Sequence, residues 1–366
     1  MKILRVVSEL DFGGVEQVLA NSIPLLSQKS GVEVSIIVLW KGGKVSNLLA
    51  KQNIDIHILH FNPRIPNPKI LRILYKMIKE LKPDVLHSQG GEANFHGILA
   101  GHWAGVKTII GEEIGIPNHH RYWKFIFRWV YSKAQLIIAI SHAVKDNIVE
   151  LGEVVEDKVK VVYNPVSIGE IDHDASTEMA GRLSDEIEKP FVFITTCRLV
   201  PIKNLDRLIT AFSEMEKEES EKPKELWIVG DGPLKEDLIQ QAKSLGIGGK
   251  IKFWGFQENV SVFLEMADAF VLPSLMEGSS VSLAEAMAWG LPSVITKIGG
   301  APEILGNSNS GILVDPLDVS SIKDAMSTLA VLKATERNEM GERAKRESER
   351  FLPEAYIISL IEMYKS

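Results

Sequence analysis

Pro273-Ser-Leu-Met-Glu277-Gly278-Ser279-Ser280-Val281-Ser282-Leu-Ala-Glu285-Ala-Met is the stretch from which the rest of the chain can be read. The apolar run Ala269-Phe-Val-Leu272 ahead of it has the length and composition of a buried strand, and Ala284-Glu-Ala-Met-Ala-Trp289 behind it reads as a helix. A strand, a turn of small residues and a helix start expose backbone N–H groups at the positive end of a helix dipole, which is a seat for phosphate. Glu277 before the helix and Glu285 within it would flank such a phosphate. Carboxylates accept hydrogen bonds from hydroxyls rather than bind phosphate, so a ligand with both phosphate and sugar hydroxyls satisfies every group at once. A plainer reading fits the same letters. Ser282-Leu-Ala-Glu285 has the spacing of a capping box, and Glu277 is then an ordinary loop carboxylate.

Working backward through the second half, the same strand, polar turn and helix pattern recurs. Phe191-Val-Phe-Ile-Thr-Thr-Cys197 is a strand followed by a turn with two cations, Arg198 and Lys203, and then a helix from Leu205. Two fixed cations at a strand end can clamp a diphosphate, the Arg as a planar fork and the Lys as a point charge; an exposed surface pair is the simpler alternative. Leu226-Trp-Ile-Val229 ends in Gly230-Asp-Gly232-Pro233, and Lys250-Ile-Lys-Phe-Trp254 ends in Gly255-Phe256-Gln257-Glu258. Pro292 to Ile295 is followed by Gly299-Gly300-Ala-Pro-Glu303, and Gly311-Ile-Leu-Val314 by a helical end. Strands that alternate with helices imply a parallel sheet covered on both faces, with ligands gathered at the carboxyl ends of the strands.

The first half repeats the scheme. Strands are expected at Ile3–Val7, Val34–Leu39, Ile54–Leu59, Asp84–His87, Lys107–Gly111, Leu136–Ile140 and Lys160–Tyr163, with helices between them. Gly13-Gly14 lies after the first strand. It lacks dinucleotide-fingerprint spacing, but paired glycines let backbone approach a bulky ligand, and a plain tight turn fits equally. Glu16, in the first turn beyond, also simply suits the dipole. Ser88-Gln89-Gly-Gly-Glu92 and Glu112-Glu113 are read as polar loops after their strands, where substrate contacts are expected. Arg121, Lys124 and Arg128 share one face of a helical stretch in which Trp123, Phe127 and Tyr131 recur every four residues. Such a helix can lie on an anionic membrane, although apolar stripes more often pack inward. The domain boundary is placed near Val166, after Asn164-Pro165. Asp172-His173-Asp174, beyond it, is read as solvated charge rather than a metal-binding acid pair.

The 366 residues suffice for two domains, and a hydrophobic fraction of 45% beside 24% charged residues is that of a soluble globular protein. A formal net charge of -7 argues against nucleic acid as the main partner. One cysteine, Cys197, allows neither an internal disulfide nor a cysteine metal cluster, and a reducing compartment is its simplest home. The His residues lack zincin spacing, so no metal site is expected. Met1 opens directly onto a strand pattern and no apolar run approaches a membrane span, so the expected location is cytoplasmic.

Taken in order, these motifs resemble the retaining glycosyltransferases of family 4. Glu277 and Glu285 match the E-x7-E motif, Arg198 and Lys203 the R-x4-K pair, Gly230-Asp-Gly-Pro233 the G-x-G-P turn, and Gly299-Gly-x-Pro-Glu303 the G-G-x-x-E segment. Gly13-Gly14-x-Glu16 is similar to the first glycine-rich loop, and Asn164-Pro165-Val166 to the interdomain N-P-V. The resemblance spans nearly the whole chain and implies the α/β GT-B fold: two Rossmann-like, doubly wound parallel-sheet domains facing a central cleft. Residues 1–165 would bind the acceptor, with a C-terminal helix from about 353 to 366 packing back on them, and residues 166–352 would bind the nucleotide sugar. It further implies that Arg198 and Lys203 hold the donor diphosphate, aided by amides of Gly13, Gly14, Gly278, Ser279, Ser280 and Val281. Gly232 and Phe256 would line the nucleotide site, Glu285 would bind ribose hydroxyls, and Glu277 would bind the transferred sugar. No cofactor or metal is implied; a nucleotide diphosphate sugar is the donor substrate. The family often carries H-x-H where this chain has His87-Ser-Gln89, so no catalytic His carries over, and Gln89 can donate a hydrogen bond but cannot act as a base. His87, Gln89, Glu92 and Glu113 remain acceptor-contact candidates. The expected function is transfer of a sugar to a glycan or lipid-linked acceptor in surface polysaccharide or glycolipid synthesis, with membrane contact on the cytoplasmic face. The alternatives are a sugar-nucleotide epimerase or phosphorylase of the same fold and a non-catalytic binding subunit.

Overall fold

Alternating apolar strands and amphipathic helices resolve, in the computed structural model, into two parallel sheets. The structure describes residues 1–11, 13–166, 189–218 and 222–365. The acid pair at Asp172 and Asp174 lies outside them. The chain divides into two units, Met1–Val166 with Phe351–Ser366, and Ser167–Arg350.

The first unit contains β1 (Lys2–Leu10), β2 (Glu33–Gly42), β3 (Asp55–Ile58), β4 (Val85–Gln89), β5 (Thr108–Glu113), β6 (Leu136–Ala139) and β7 (Val159–Val161). Their order across the sheet is β3-β2-β1-β4-β5-β6-β7, and adjacent strands pair in parallel. The two-residue period of β1 sorts its side chains. Leu4 and Val6 join the cluster under the helices Pro68–Leu81 and Gly91–Ala104, while Ile3 and Val7 face the other way, onto Val18, Leu19, Tyr356, Ile357 and Leu360. The helix Pro353–Lys365 thereby belongs to this unit. Pro68–Leu81 shows how local signals set an element. Asn67 caps it by accepting from the Lys69 and Ile70 amides at 3.1 and 3.4 Å, Pro68 opens it, and Ile70, Leu74 and Ile78 bury one stripe.

The second unit contains β8 (Phe191–Thr196), β9 (Lys224–Val229), β10 (Ile251–Gly255), β11 (Ala269–Leu272), β12 (Ser293–Thr296) and β13 (Gly311–Val314), ordered β10-β9-β8-β11-β12-β13 and again parallel. In each sheet the strand order reverses once, between β1 and β4 and between β8 and β11. That is where a doubly wound sheet opens a crevice at its carboxyl ends.

Two expected loops are strand. β4 runs through Gln89 and β5 through Glu113, so His87, Ser88, Gln89, Glu112 and Glu113 are all buried. For His87, Gln89 and Glu112 the reason is a charged partner in β1. Arg5, on the face of Ile3 and Val7, donates to Gln89 Oε1 at 2.8 Å, Glu112 Oε2 at 3.2 Å and His87 Nδ1 at 2.7 Å. Arg5 can only donate, so Nδ1 accepts and the ring proton sits on Nε2, 2.9 Å from Glu112 Oε2 though off the ideal hydrogen-bond line. Burial and the neighbouring guanidinium push the His87 pKa down to about 4, so the ring is neutral at physiological pH. Burial alone would raise the pKa of Glu112; the contact with His87 and the charge and hydrogen bond of Arg5 outweigh it and hold the acid below the usual carboxylate range. Tyr364 closes the cluster at 3.3 Å from Arg5 Nη1 and 2.7 Å from His87 Nδ1, tying the C-terminal helix to the sheet. Removing one member of a buried pair strands the other charge. Arg5→Met is therefore expected to destabilise the first unit by about 3–5 kcal/mol, and adding Glu112→Gln should recover most of that loss, read by urea unfolding with hydrogen exchange at the β1 amides.

Candidate functional site

The crevice between β8 and β11 collects the motifs of the second unit. The turn after β8 carries Arg198 and, in a single 3-10 turn Pro201–Lys203, the second cation. The turn after β11 carries Glu277 and leads into the helix Val281–Ala288. Lys203 Nζ lies 2.7 Å from Glu277 Oε1, with the lysine one-fifth exposed and the glutamate buried. Arg198 is exposed, and no partner for its guanidinium occurs among the described residues. The sequence spacing of seventy-four residues thus closes to one ion pair, and Arg198 belongs to the same turn as its lysine.

Backbone contacts lock these turns together. Leu275 N–H donates to Ile202 O at 2.8 Å, and Gly300 N–H to Glu277 O at 2.8 Å. Gly299 has φ 74°, and a Cβ there would stand 2.1 Å from Glu277 O; only glycine allows that approach. Gly230 has φ 141°, and its Cβ would stand 1.9 Å from Cys197 O. The G-x-G-P turn, with Gly232, is therefore pressed against the Arg198 turn, which Leu199 N–H to Asp231 O at 3.0 Å also holds. Burial pushes the Cys197 thiol up to about 11, which leaves it protonated.

One positioning residue escaped the sequence reading. Asn204, directly after Lys203, is buried with φ 59°, and its amide donates to Pro273 O at 2.9 Å and Pro316 O at 2.7 Å. Its place before the helix Leu205–Met215 has the pattern of an N-cap, yet no side-chain cap forms there; the side chain reaches across the sheet to the β11 turn instead.

The helix after β11 begins at Val281, capped by Ser280, whose Oγ accepts from Leu283 N–H at 3.3 Å. This corrects the capping-box reading of Ser282 and Glu285. Glu285 is a full turn inside the helix and out of reach of the cap amide. No donor to the Glu285 carboxyl occurs among the described residues, and burial pushes its pKa up to about 7. Gly278 and Ser279 remain partly exposed in the turn, and Phe256 is half-buried after β10.

In the first unit, Gly13 precedes the helix Gly14–Ser27 without a side-chain cap. Glu16 folds back over it, so that a Cβ on Gly13 would stand 2.4 Å from Glu16 Oε2. Burial raises the Glu16 pKa, and the charges of Glu9 and Asp11 add to it. A cleft of about 330 Å³ at the carboxyl ends of β1, β2 and β4 is lined by Glu16, Trp40, Arg64, Gln89 and Glu92 among others. His87 does not line it, and Glu113 faces the packed interior. Tyr131 Oη donates to Glu113 Oε1, Asn94 Nδ2 reaches the same atom at 3.1 Å, and burial lifts the acid to about 7. A larger cavity, of about 460 Å³, opens at the opposite, amino-terminal edge of the same sheet, away from these groups. Among the described residues no group of three or more His, Cys, Asp or Glu is placed to hold a metal ion, and no helix is long and apolar enough to cross a membrane.

Two family models match the chain: "Glycosyl transferases group 1" over residues 182–347 and "Glycosyltransferase Family 4" over residues 12–170. The N-acetyl-alpha-D-glucosaminyl L-malate synthase of Bacillus anthracis is 28% identical over 303 residues, covering 82% of this chain and 72% of that protein. The N-acetylgalactosamine-N,N'-diacetylbacillosaminyl-diphospho-undecaprenol 4-alpha-N-acetylgalactosaminyltransferase of Campylobacter jejuni is 25% identical over 359 residues, 93% of each chain. The Anabaena protein Alr3699/HepE, solved in complex with UDP, superposes with a TM-score of 0.82 at 21% identity over the full length of both chains. With its two parallel-sheet units and a family match to each half, the chain belongs to the GT-B glycosyltransferases of family 4 type.

Proposed function

We propose that the protein is a retaining glycosyltransferase that moves a sugar from a nucleotide diphosphate sugar to a glycan or lipid-linked acceptor, without a metal ion. The observation that carries this reading is the meeting of Lys203 and Glu277 just before the helix Val281–Ala288, with exposed Arg198 in the same turn as the lysine. A diphosphate seated there meets two cations and the first-turn amides of that helix. A sugar attached to it offers hydroxyls to Glu277, and a ribose offers hydroxyls to Glu285. In the reaction the bond from the anomeric carbon to the diphosphate oxygen breaks and the diphosphate leaves with the electron pair, which Arg198 and Lys203 stabilise. The acceptor oxygen bonds to the same face of that carbon, and its proton passes to a phosphate oxygen of the leaving group. The cleft lined by Trp40, Arg64, Gln89 and Glu92 is the proposed acceptor site. A relative that spans 93% of the chain is named for a diphospho-undecaprenol-linked substrate, which supports a lipid-linked acceptor in surface glycan synthesis and a peripheral place on the cytoplasmic side of a membrane.

A panel of nucleotide diphosphate sugars tests the assignment. Slow nucleotide release without acceptor and faster release with a polyprenyl-diphosphate glycan are expected, whereas tight binding without turnover overturns the enzyme. Lys203→Ala and Arg198→Ala are each expected to lower kcat by about 100-fold or more with a melting temperature close to the parent's. Unchanged kcat in either removes the diphosphate clamp. Asn204→Ala is expected to cost about 1–3 kcal/mol and to lower kcat as well, because the Lys203 turn loses its tie to the β11 turn.

Glu285 provides a pH signature. Its pKa is raised from 4.5 to about 7, so the folded state binds the proton more tightly than the unfolded chain. Its contribution favours folding below pH 4.5 and is lost as pH rises toward 7. Hydroxyl donors of a ribose favour the carboxylate, so nucleotide binding near pH 6 should release a proton. Calorimetry in buffers of different ionisation enthalpy would show this release, and it should vanish in Glu285→Gln.

A further inference from the structure

The cleft of the first unit holds charges of both signs without pairing them. Glu9, Glu16 and Glu92 line it, and Arg64 is the only cation among the described lining residues. Among the described residues no ion pair joins Arg64 to any of these acids. Arg64 and Glu92 are exposed, and Glu9 and Glu16 are half-buried. Burial raises the Glu16 pKa and the charges of Glu9 and Asp11 raise it further, so the field around that acid is negative before a ligand enters.

Hydrogen bonds fix the loop that carries Arg64. Its amide donates to Asn62 Oδ1 at 3.2 Å, and Asn67 Nδ2 donates to Asn62 O at 3.1 Å. Asn67 N–H in turn donates to Nε2 of His96 at 3.2 Å. With Nε2 accepting, the ring proton sits on Nδ1, which donates to Glu92 O at 2.7 Å. Burial lowers the His96 pKa and keeps the ring in this neutral form at physiological pH. One buried histidine thus ties the Arg64 loop to the first turn of the helix Gly91–Ala104, where Glu92 stands.

A guanidinium on a fixed loop, kept apart from the carboxylates around it, is a fork open to an oxyanion: a phosphate or carboxylate accepts two parallel hydrogen bonds from it. The acids have the opposite preference. They accept from hydroxyls and repel a second anion. Trp40 supplies an apolar wall, with Lys41 Nζ over its ring at 4.1 Å. A neutral sugar leaves the guanidinium facing water, and a polyanionic chain sets its charges against three carboxylates. A sugar with a single anionic group satisfies both sides of the cleft.

We propose that Arg64 selects the acceptor: a sugar carrying one anionic group, a phosphate ester or a carboxylate, which pairs with the guanidinium while Glu16 and Glu92 take the sugar's hydroxyls. The inference rests on the transferase reading above and narrows its acceptor, because the anion must lie on or next to the sugar that enters the cleft.

Titration of soluble probes, read by saturation-transfer NMR, is the test. Glucose, galactose and N-acetylglucosamine are each offered as the methyl glycoside and as the 1-phosphate, and glucuronic and galacturonic acids supply the carboxylate arm. The titrations use the full-length protein and its Arg198→Ala/Lys203→Ala variant, which removes the cations of the second unit as a rival phosphate site. At least one anionic sugar is expected to bind about tenfold or more tighter than its neutral glycoside in both proteins. Arg64→Gln is expected to abolish that preference and Arg64→Lys to retain part of it, each with the parent's melting temperature. The stronger of the phosphate and carboxylate arms identifies the group. Absence of binding by every anionic sugar, equally tight binding of the neutral glycosides, or a preference that survives Arg64→Gln overturns the proposal. So does a preference that disappears in Arg198→Ala/Lys203→Ala. Nucleotide release from a donor without acceptor, read on the parent, tests the transferase reading separately; its presence beside a failed panel removes the acceptor assignment alone.

Discussion

Strand order reverses between β8 and β11, and the connections leaving the carboxyl ends of those strands run to opposite faces of the sheet. That divergence leaves a crevice, and the Arg198 turn and the Glu277 turn are its two walls. The Lys203–Glu277 pair spans it at 2.7 Å. Partly solvated, such a pair contributes on the order of 1 kcal/mol or less to stability, too little to be its reason for existing. Its effect is to hold a cation and a hydrogen-bond acceptor at fixed positions before any ligand arrives. Three supports maintain the spacing: the Asn204 amide on two carbonyls, the Gly299 approach to Glu277 and the Gly230 approach to Cys197. Preorganised charge of this kind would cost no reorganisation in the proposed departure of a diphosphate.

The corresponding reversal in the first sheet, between β1 and β4, is built differently. There Arg5, His87, Gln89 and Glu112 form a buried cluster on one face of the sheet, closed by Tyr364 of the C-terminal helix. A buried ion pair of this sort adds little net stability over apolar packing, but losing either partner is costly. Gln89, where the motif resemblance leads one to expect a second histidine, is held between Arg5 and Glu112. Its amide therefore meets the neighbouring cleft in one orientation. A histidine there would add a second ring to a cluster that already holds one neutral imidazole.

Residues 119–133 show the same economy on the surface. One helix uses Trp123, Phe127 and Tyr131 to close the core and presents Tyr122, Phe125 and Trp129 outward. Both stripes recur at helical spacing, so periodicity alone cannot say which of them meets solvent. The answer came from neighbours distant in sequence, Glu113, Glu153 and Lys158, which bind the inner stripe.

By itself, the sequence determined the architecture. Apolar runs of strand length, separated by polar turns and amphipathic helices, admit little besides two parallel sheets, because the type of each element follows from local period and each turn from its glycines and prolines. Arg198, Lys203 and Glu277 were legible as charges beyond strand ends, and Glu285 as a charge in the helix that follows, for the same reason. Only the tertiary structure decided that Lys203 meets Glu277, that Glu285 is no cap, that Gln89 and Glu113 lie on strands, and that Asn204 braces the site. Apart from Glu285, where the nearby Ser280 takes the cap, each of these depends on a partner tens of residues away, brought close by strand order. Local pattern carries the kind of element a residue joins but not the identity of what its side chain touches.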